Sequence, residues 1–475
     1  MTDAAPAPAL ASAQMVARPT SGNALLQAPL LPTLLRLALP NLIALSVTAA
    51  VAIAETSYVG SLGTAPLAAI ALVFPMIMLM QMLSSGAMGG GVSSAISRAL
   101  GAGDEARASA LALHALAIGA GTGLFFSLLF TLFGRALFAT LGGRGAVLDQ
   151  AMAYANVALS AAVLLWVLNT LASIVRGTGN MQIPSLTLLG VSALQIGFGG
   201  ALGLGLGPIP RLGLPGVAAG LVIGCATGTL FLFWHLGSGR GRLTLRFTGM
   251  PWRAEMFLDI LQVGAIAAFS PLQSVLTVLI LTKAIAGFGT EALAGYGIGA
   301  RLEFLLVPIA FAVGVACVPM VGMAVGAGRI GRARRVAWTG AAVSALALGV
   351  IGGLVATLPH LWSGLFSADA EVAAAANLYL RCAGPTFPLF GLGLCLYFAA
   401  QGAGRVLGPV LASSLRLGIV AVGTGLLAWS QAPLWCLFAL VGLSLAAYGA
   451  ATAAAVYVTP WGRERVEVPA GARPQ

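Results

Sequence analysis

Two glutamates, Glu55 and Glu303, stand well inside long apolar stretches of this chain. Glu55 follows Val51-Ala52-Ile53-Ala54, so no charge beside it in sequence neutralises it. A charged side chain at the centre of a membrane-crossing helix costs at least roughly 2.5–3.5 kcal/mol, so such residues tend to be kept for a task. The task open to a carboxylate there is to take up and release a proton or to help hold a cation. Glu55 lies seven residues before Leu62, where its stretch ends, which is roughly 10 Å along a helix that rises 1.5 Å per residue. Glu303 has Arg301 two positions earlier. Residues two apart on a helix face different ways, so each needs another partner, and Arg416 is a candidate for Glu303.

The second half of the chain also places Lys283, Arg301, Arg381 and Arg416 within apolar stretches. If several of these cations line one cavity, an anionic or zwitterionic substrate would suit them. Lys283 stands close to the end of its stretch, where snorkelling to the surface is the simpler reading. Tyr154, Asn156, Asn169 and Gln273, with Trp166, Met320 and Met323, are candidate cavity residues. Methionine and aromatic side chains suit a promiscuous pocket, although packing is their more frequent role. The histidines His114, His235 and His360 are scattered, and Cys225, Cys317, Cys382, Cys395 and Cys436 show no metal-ligand spacing. No metal site, cofactor or catalytic centre is expected, and the chain is not read as an enzyme.

The elements that must hold these residues are membrane helices. Hydrophobic residues make up 59% of the 475 and charged residues only 8%; soluble domains carry about 25% charged residues. Many apolar runs reach the roughly 20 residues that a spanning helix needs. The pattern predicts an all-α polytopic membrane protein with twelve transmembrane helices, at about 34–62, 65–97, 108–134, 149–176, 181–206, 213–238, 256–288, 291–325, 336–358, 374–401, 407–427 and 432–458. Pro40, Pro75, Pro271 and Pro388 are candidate kinks. The expected organisation is a disordered tail at 1–33, a six-helix bundle at 34–238, a linker at 239–255, a second six-helix bundle at 256–458 and a tail at 459–475.

Basic residues orient this layout. Arg18, Arg36, Arg98, Arg107, Arg176, Arg240, Arg242, Arg246, Arg253, Arg329, Arg332, Arg334, Arg335, Arg405, Arg463, Arg465 and Arg473 fall on one side, and only Arg135, Arg144 and Arg211 on the other. Positive residues collect on the cytoplasmic side, so both termini are expected there, in a cell inner membrane. The net charge of +11 then reflects topology and lipid contact rather than nucleic-acid binding. The glycine-rich turns lack the strand of a dinucleotide site. The tail before residue 34 is Ala/Pro-rich and shows no signal-peptide pattern.

The halves repeat. Gly60-Ser61-Leu62-Gly63-Thr64 with Leu67-Ala68 returns as Gly289-Thr290 with Leu293-Ala294. Leu100-Gly101-Ala102-Gly103 with Arg107 returns as Val325-Gly326-Ala327-Gly328 with Arg332, and Arg176-Gly177-Thr178-Gly179 with Pro184 as Gln401-Gly402-Ala403-Gly404 with Pro409. The common spacing carries six spans, so both halves share one orientation, related by a pseudo-twofold axis along the membrane normal.

These landmarks, with Leu37-Ala38-Leu39-Pro40, Glu55-Thr56-Ser57-Tyr58-Val59-Gly60, Arg176-Gly177-Thr178-Gly179-Asn180 and Gly295-Tyr296-Gly297-Ile298, resemble the multidrug and toxic compound extrusion (MATE) family over about residues 34 to 458. The resemblance implies a V-shaped pair of six-helix bundles that exports organic, often cationic, compounds against an inward flow of protons or sodium ions. Glu55 occupies the place where that family often has an Asp. Where some members have Asn and, four residues on, Asp in the fifth span, this chain has Gln195 and Gly199. Gln195 can still hydrogen-bond Glu55, but the second acid is missing, which favours protons over sodium. The seventh span offers Ser270 and Gln273 and the tenth offers Arg381, where other members carry acids.

The expected function is therefore proton-coupled efflux of an organic compound by alternating access, with Glu55 and Gln195 as the coupling pair. Tyr154, Asn156, Asn169, Gln273, Arg301, Glu303, Arg381 and Arg416 are the candidate cavity residues. The expected partners are a small organic substrate and the lipid bilayer, with no nucleic acid, and the protein is expected to act as a monomer. A flippase for lipid-linked precursors or exporter of anionic metabolites, and a non-transporting scaffold or receptor, are the alternatives.

Overall fold

A computed structural model describes residues 25–208, 210–239, 241–245 and 252–462. Among these residues the ordered elements are helical and no strand occurs. Lipid explains this directly: with no water to satisfy backbone groups, each segment must bond its own N–H and C=O groups, which a helix does. Many hydroxyls inside the spans bond to the carbonyls of their own helix. Thr56 donates to Ala52 O at 2.8 Å and Thr122 to Ile118 O at 2.7 Å.

Among the described residues eleven helices are long and apolar enough to cross a membrane, and a bent pair taken as one span makes twelve. The first half holds α1 (Leu30–Leu62), α2 (Thr64–Gly101), α3 (Glu105–Thr140), α4 (Gly145–Ala158 and Ala162–Gly177, bent by 47° between), α5 (Gln182–Leu204) and α6 (Leu214–Gly237). The second holds α7 (Ala254–Ala286), α8 (Thr290–Gly326), α9 (Ile330–Thr357), α10 (Ala370–Gly402), α11 (Leu407–Trp429) and α12 (Leu434–Val458). Within the first half α5 packs on α1 and α6, and α4 on α2 and α3; within the second α10 packs on α8, α9 and α12, and α11 on α7 and α12.

The repeated turns have one backbone in both halves. Gly103 and Gly328 have φ of 80° and 74°, and Gly179 and Gly404 have 87° and 72°. Each ends a span in the left-handed region that glycine enters without a side-chain penalty. The spacing seen in sequence is thus the spacing of helix stops.

The halves meet where α1 packs on α8 and where α2 packs on α7, α8 and α10. Gly101 lies against the backbone of Met323, and Gly326 against the backbone of Arg98. Residues 98 and 323 hold the same place in the repeat, as do 101 and 326, so the contact is reciprocal, as a twofold axis requires. A methyl group on either glycine would strike main chain.

Several details depart from the expected layout. Pro40 and Pro75 sit within continuous helix. Pro271 follows a break after Ala267, and Pro388 follows a short 3-10 turn at Gly384–Thr386. The 47° bend in α4 has no proline at it. A π-helical stretch, Met82–Met88, interrupts α2. The tail 1–33 does not stay separate as a whole: Leu25 is buried, Arg332 Nη2 donates to Leu25 O and Ala28 O at 2.8 and 2.6 Å, and α1 starts at Leu30. Those two arginine bonds anchor its last residues to α9. Residues 1–24, residues 240 and 246–251 of the linker, and residues 463–475 lie outside the described residues, with Arg18, Arg240, Arg246, Arg463, Arg465 and Arg473. Beyond α12, Arg334 donates to Tyr457 O and Thr459 O and lies over the buried Trp461 ring.

Candidate functional site

The close packing of α1 and α5 brings Glu55 and Gln195 together: Gln195 Nε2 donates to Glu55 Oε1 at 2.7 Å. Among the described residues Glu55 has no ion-pair partner. An amide suits a carboxyl group that changes charge, because the acceptor oxygen is available in both states. Tyr154, buried on α4, stands within electrostatic reach of Glu55. Asn156, two residues on, is exposed, so the two do not share a lining. Gly199, one turn beyond Gln195, is buried where α5 meets Val217 and Gly220 of α6. The place of the absent second acid is therefore a helix contact.

The second half is built differently. Tyr379 donates its phenolic proton to Glu303, and its ring packs edge-on against Tyr296 and Phe438. Arg416 exerts a Coulombic pull on Glu303 without forming an ion pair, and its guanidinium lies 5.9 Å from the Phe390 centroid. Arg301 is exposed and sits 5.5 Å from the Phe366 centroid. Lys283 and Arg381 are exposed as well. Arg301 and Arg416 therefore have separate aromatic partners. Gln273 Nε2 donates to Ser414 Oγ at 2.6 Å, which ties α7 to α11. Trp166, Met320 and Met323 are buried; Trp166 stacks on Phe126 and the methionines belong to the shared core.

A small cavity with several polar groups lies in the first half, against Phe311 of the second. Asn41 of α1, Gln81 and Ser85 of α2, Asn169 and Arg176 of α4, and Phe311 of α8 are among the residues that line it. Its free space is small, about 30 Å³. Asn169 Nδ2 donates to Gln81 Oε1 at 3.2 Å and to Ser84 Oγ at 2.8 Å. These partners sit at the edge of the π-helical stretch, a distortion that often marks functional sites. Of this group only Asn169 stood out as a cavity candidate in the sequence. Asn41 and Gln81 carry a signal there as isolated amides in apolar runs, and Arg176 reads as a topology marker. A roomier recess of about 310 Å³ beside His114 and Trp252 is mostly apolar. His114 is satisfied there, bonded to Ala110 O and accepting from the Arg253 backbone N–H.

The arginine-rich end of the cleft is closed by polar contacts. Asp259 of α7 accepts from Arg98 at 2.6 Å and from Arg107 at 3.0 Å. Ser94 Oγ donates to the carbonyls of Gln401 and Gly402, and Gln401 Nε2 donates to Gly86 O at 3.4 Å. The arrangement is a two-bundle body with a carboxyl–amide pair in the first bundle, a small cavity in that bundle against Phe311 of the second, and polar contacts between the bundles.

The family model described as MatE matches residues 40–199 and again 267–426, once in each half. The FAD transporter of Shewanella oneidensis is 28% identical over 324 residues, covering 66% of this chain and 69% of that one. The probable multidrug resistance protein YoeA of Bacillus subtilis is 24% identical over 364 residues, covering 76% and 78%. Among solved structures, a MOP superfamily transporter from Pyrococcus furiosus, described as having a binding pocket of reverse polarity that suggests a different function, superposes with a TM-score of 0.83 at 22% identity, covering 93% and 97%. An outward-facing multidrug resistance MATE transporter gives 0.82 at 21%, covering 91% and 96%.

Proposed function

We propose that this chain, which belongs to the MatE family of membrane transporters, exports small organic compounds in exchange for protons by alternating access. The observation that carries the proton reading is the Glu55–Gln195 hydrogen bond within the first bundle. A carboxyl group held by an amide, with no cation beside it, can be occupied or emptied of its proton without breaking an ion pair. The organic nature of the cargo rests on relatives named for drugs in one case and a flavin nucleotide in another.

Taking the arginine-rich end as cytoplasmic, the contacts of Asp259, Ser94 and Gln401 close the inner end. The described state is then closed toward the inside. Protonation of Glu55 from the outside would favour release of the cargo outward and re-orientation of the bundles, and deprotonation toward the inside would reset them. One bundle rocks on the other about the Gly101–Gly326 crossing. The direct test is Glu55→Gln in proteoliposomes with an imposed pH gradient. Gradient-driven flux should fall at least tenfold while expression and folding are kept. Normal flux through that variant would remove the coupling role.

A further inference from the structure

Arg176 ends the second piece of α4, yet only 8% of it is exposed. A helical side chain leans toward the N-terminus of its helix, which for Arg176 means away from the arginine-rich end and into the membrane. Its guanidinium accordingly lines the cavity shared with Asn41, Gln81, Ser85 and Asn169. Among the described residues Arg176 has neither an ion pair nor a hydrogen-bond partner, and no acid lines the cavity. Asn41, 4% exposed, leaves its Nδ2 without a partner on the same cavity. Two buried donors thus face one space. A buried cation persists only when something compensates it, and a guanidinium matches the paired oxygens of a carboxylate or phosphate.

The repeat isolates the feature. The second half has Gln401 where the first has Arg176. Gln401 is fully buried, and its side-chain Nε2 donates across the halves to Gly86 O. The cation is therefore not a requirement of the turn that both halves share. Phe311 of α8 covers the cavity from the opposite bundle, so an occupant would touch both moving parts. The space of about 30 Å³ suits the oxygens of one anionic group, since a single water needs roughly 10–15 Å³ on such a measure. The body of a larger molecule would extend into the cleft.

We propose that this cavity binds the anionic group, phosphate or carboxylate, of the transported molecule, with Arg176 as the anchor and Asn41 as the second donor. This rests on the transport reading for its purpose, but its test does not need transport. The group belongs either to a soluble organic anion or to an anionic lipid headgroup.

Thermal unfolding of the purified full chain in neutral detergent, titrated with inorganic pyrophosphate and with flavin adenine dinucleotide, reads the soluble source. Unfolding in nanodiscs of phosphatidylcholine with and without phosphatidylglycerol reads the lipid source. The expected result is stabilisation of wild-type protein by at least one of these, with at least tenfold weaker apparent binding in Arg176→Met and partial recovery in Arg176→Lys. Arg176→Met without ligand should unfold no earlier than wild type, because an uncompensated buried charge is gone. The exposed-pair variant Arg135→Gln should bind as wild type does. Equal stabilisation of wild type and Arg176→Met, stabilisation by none of the anions, or early unfolding of ligand-free Arg176→Met overturns the proposal. None of these outcomes decides whether Glu55 couples flux, and a failed flux assay leaves this binding result standing.

Discussion

In the first half a glutamate accepts a hydrogen bond from an amide, Gln195; in the second a glutamate accepts one from a phenol, Tyr379, with Arg416 within Coulombic reach. Near the seal the first half keeps a cation without a partner, Arg176, where the second has Gln401, bonded across the interface. The same turns and helix order therefore carry two local chemistries. Glu55 has an amide beside it and, among the described residues, no ion-pair partner. Glu303 accepts from a phenol, with a guanidinium nearby. The repeat gives both halves one frame, and unlike side chains are set on it.

This comparison can be broken at the contact both halves share. Gly326→Leu places side-chain atoms where the Arg98 backbone runs, so the arginine-rich end should no longer close and flux should drop more than tenfold. Gly418→Leu, on an α11 face with no neighbour within 4 Å of an added Cβ, should leave flux within about twofold. Equal effects of the two would mean that the crossing is not the pivot.

A smaller effect is expected at the ionic part of the seal. Asp259→Asn removes the charge that Arg98 and Arg107 share. The carboxylate is partly exposed, at 24%, so about 1 kcal/mol is a reasonable value after solvent screening, or roughly a fivefold shift in population. A cysteine introduced by Ser97→Cys, beside Gly322 and buried in the closed state, should react several-fold faster with a maleimide in the Asp259→Asn background. An unchanged rate would assign the closure to helix packing alone.

Much of this frame was readable before any coordinates. Helix stops at Gly103, Gly179, Gly328 and Gly404 are written in residue type and spacing, because a left-handed turn selects glycine wherever it occurs. Glu55 stands out as a carboxylate after an apolar run, and Gln195 is paired with it through the resemblance to the MATE family rather than through local pattern. The cavity against Phe311 was not readable in the same way. Its residues come from five helices, and their convergence depends on the π-helical stretch after Gln81. The bend in α4 at residues 159–161 had no proline to announce it. The direction of Arg176 was hidden too, since an arginine beside a cytoplasmic turn ordinarily reaches for solvent. The tyrosine on Glu303 lies 76 residues away, a tertiary pairing that local pattern does not encode.

The most direct test of coupling in the first half compares Glu55→Gln and Glu303→Gln side by side. Both would be reconstituted at equal density and driven by the same imposed pH gradient, with flavin adenine dinucleotide and a lipophilic cationic dye as cargoes. The expected result is loss of gradient-driven flux, at least tenfold, for Glu55→Gln, against a change within about threefold for Glu303→Gln, whose neutral amide can still accept from Tyr379. Undiminished flux through Glu55→Gln, or a collapse confined to Glu303→Gln, would contradict the assignment of coupling to the first half.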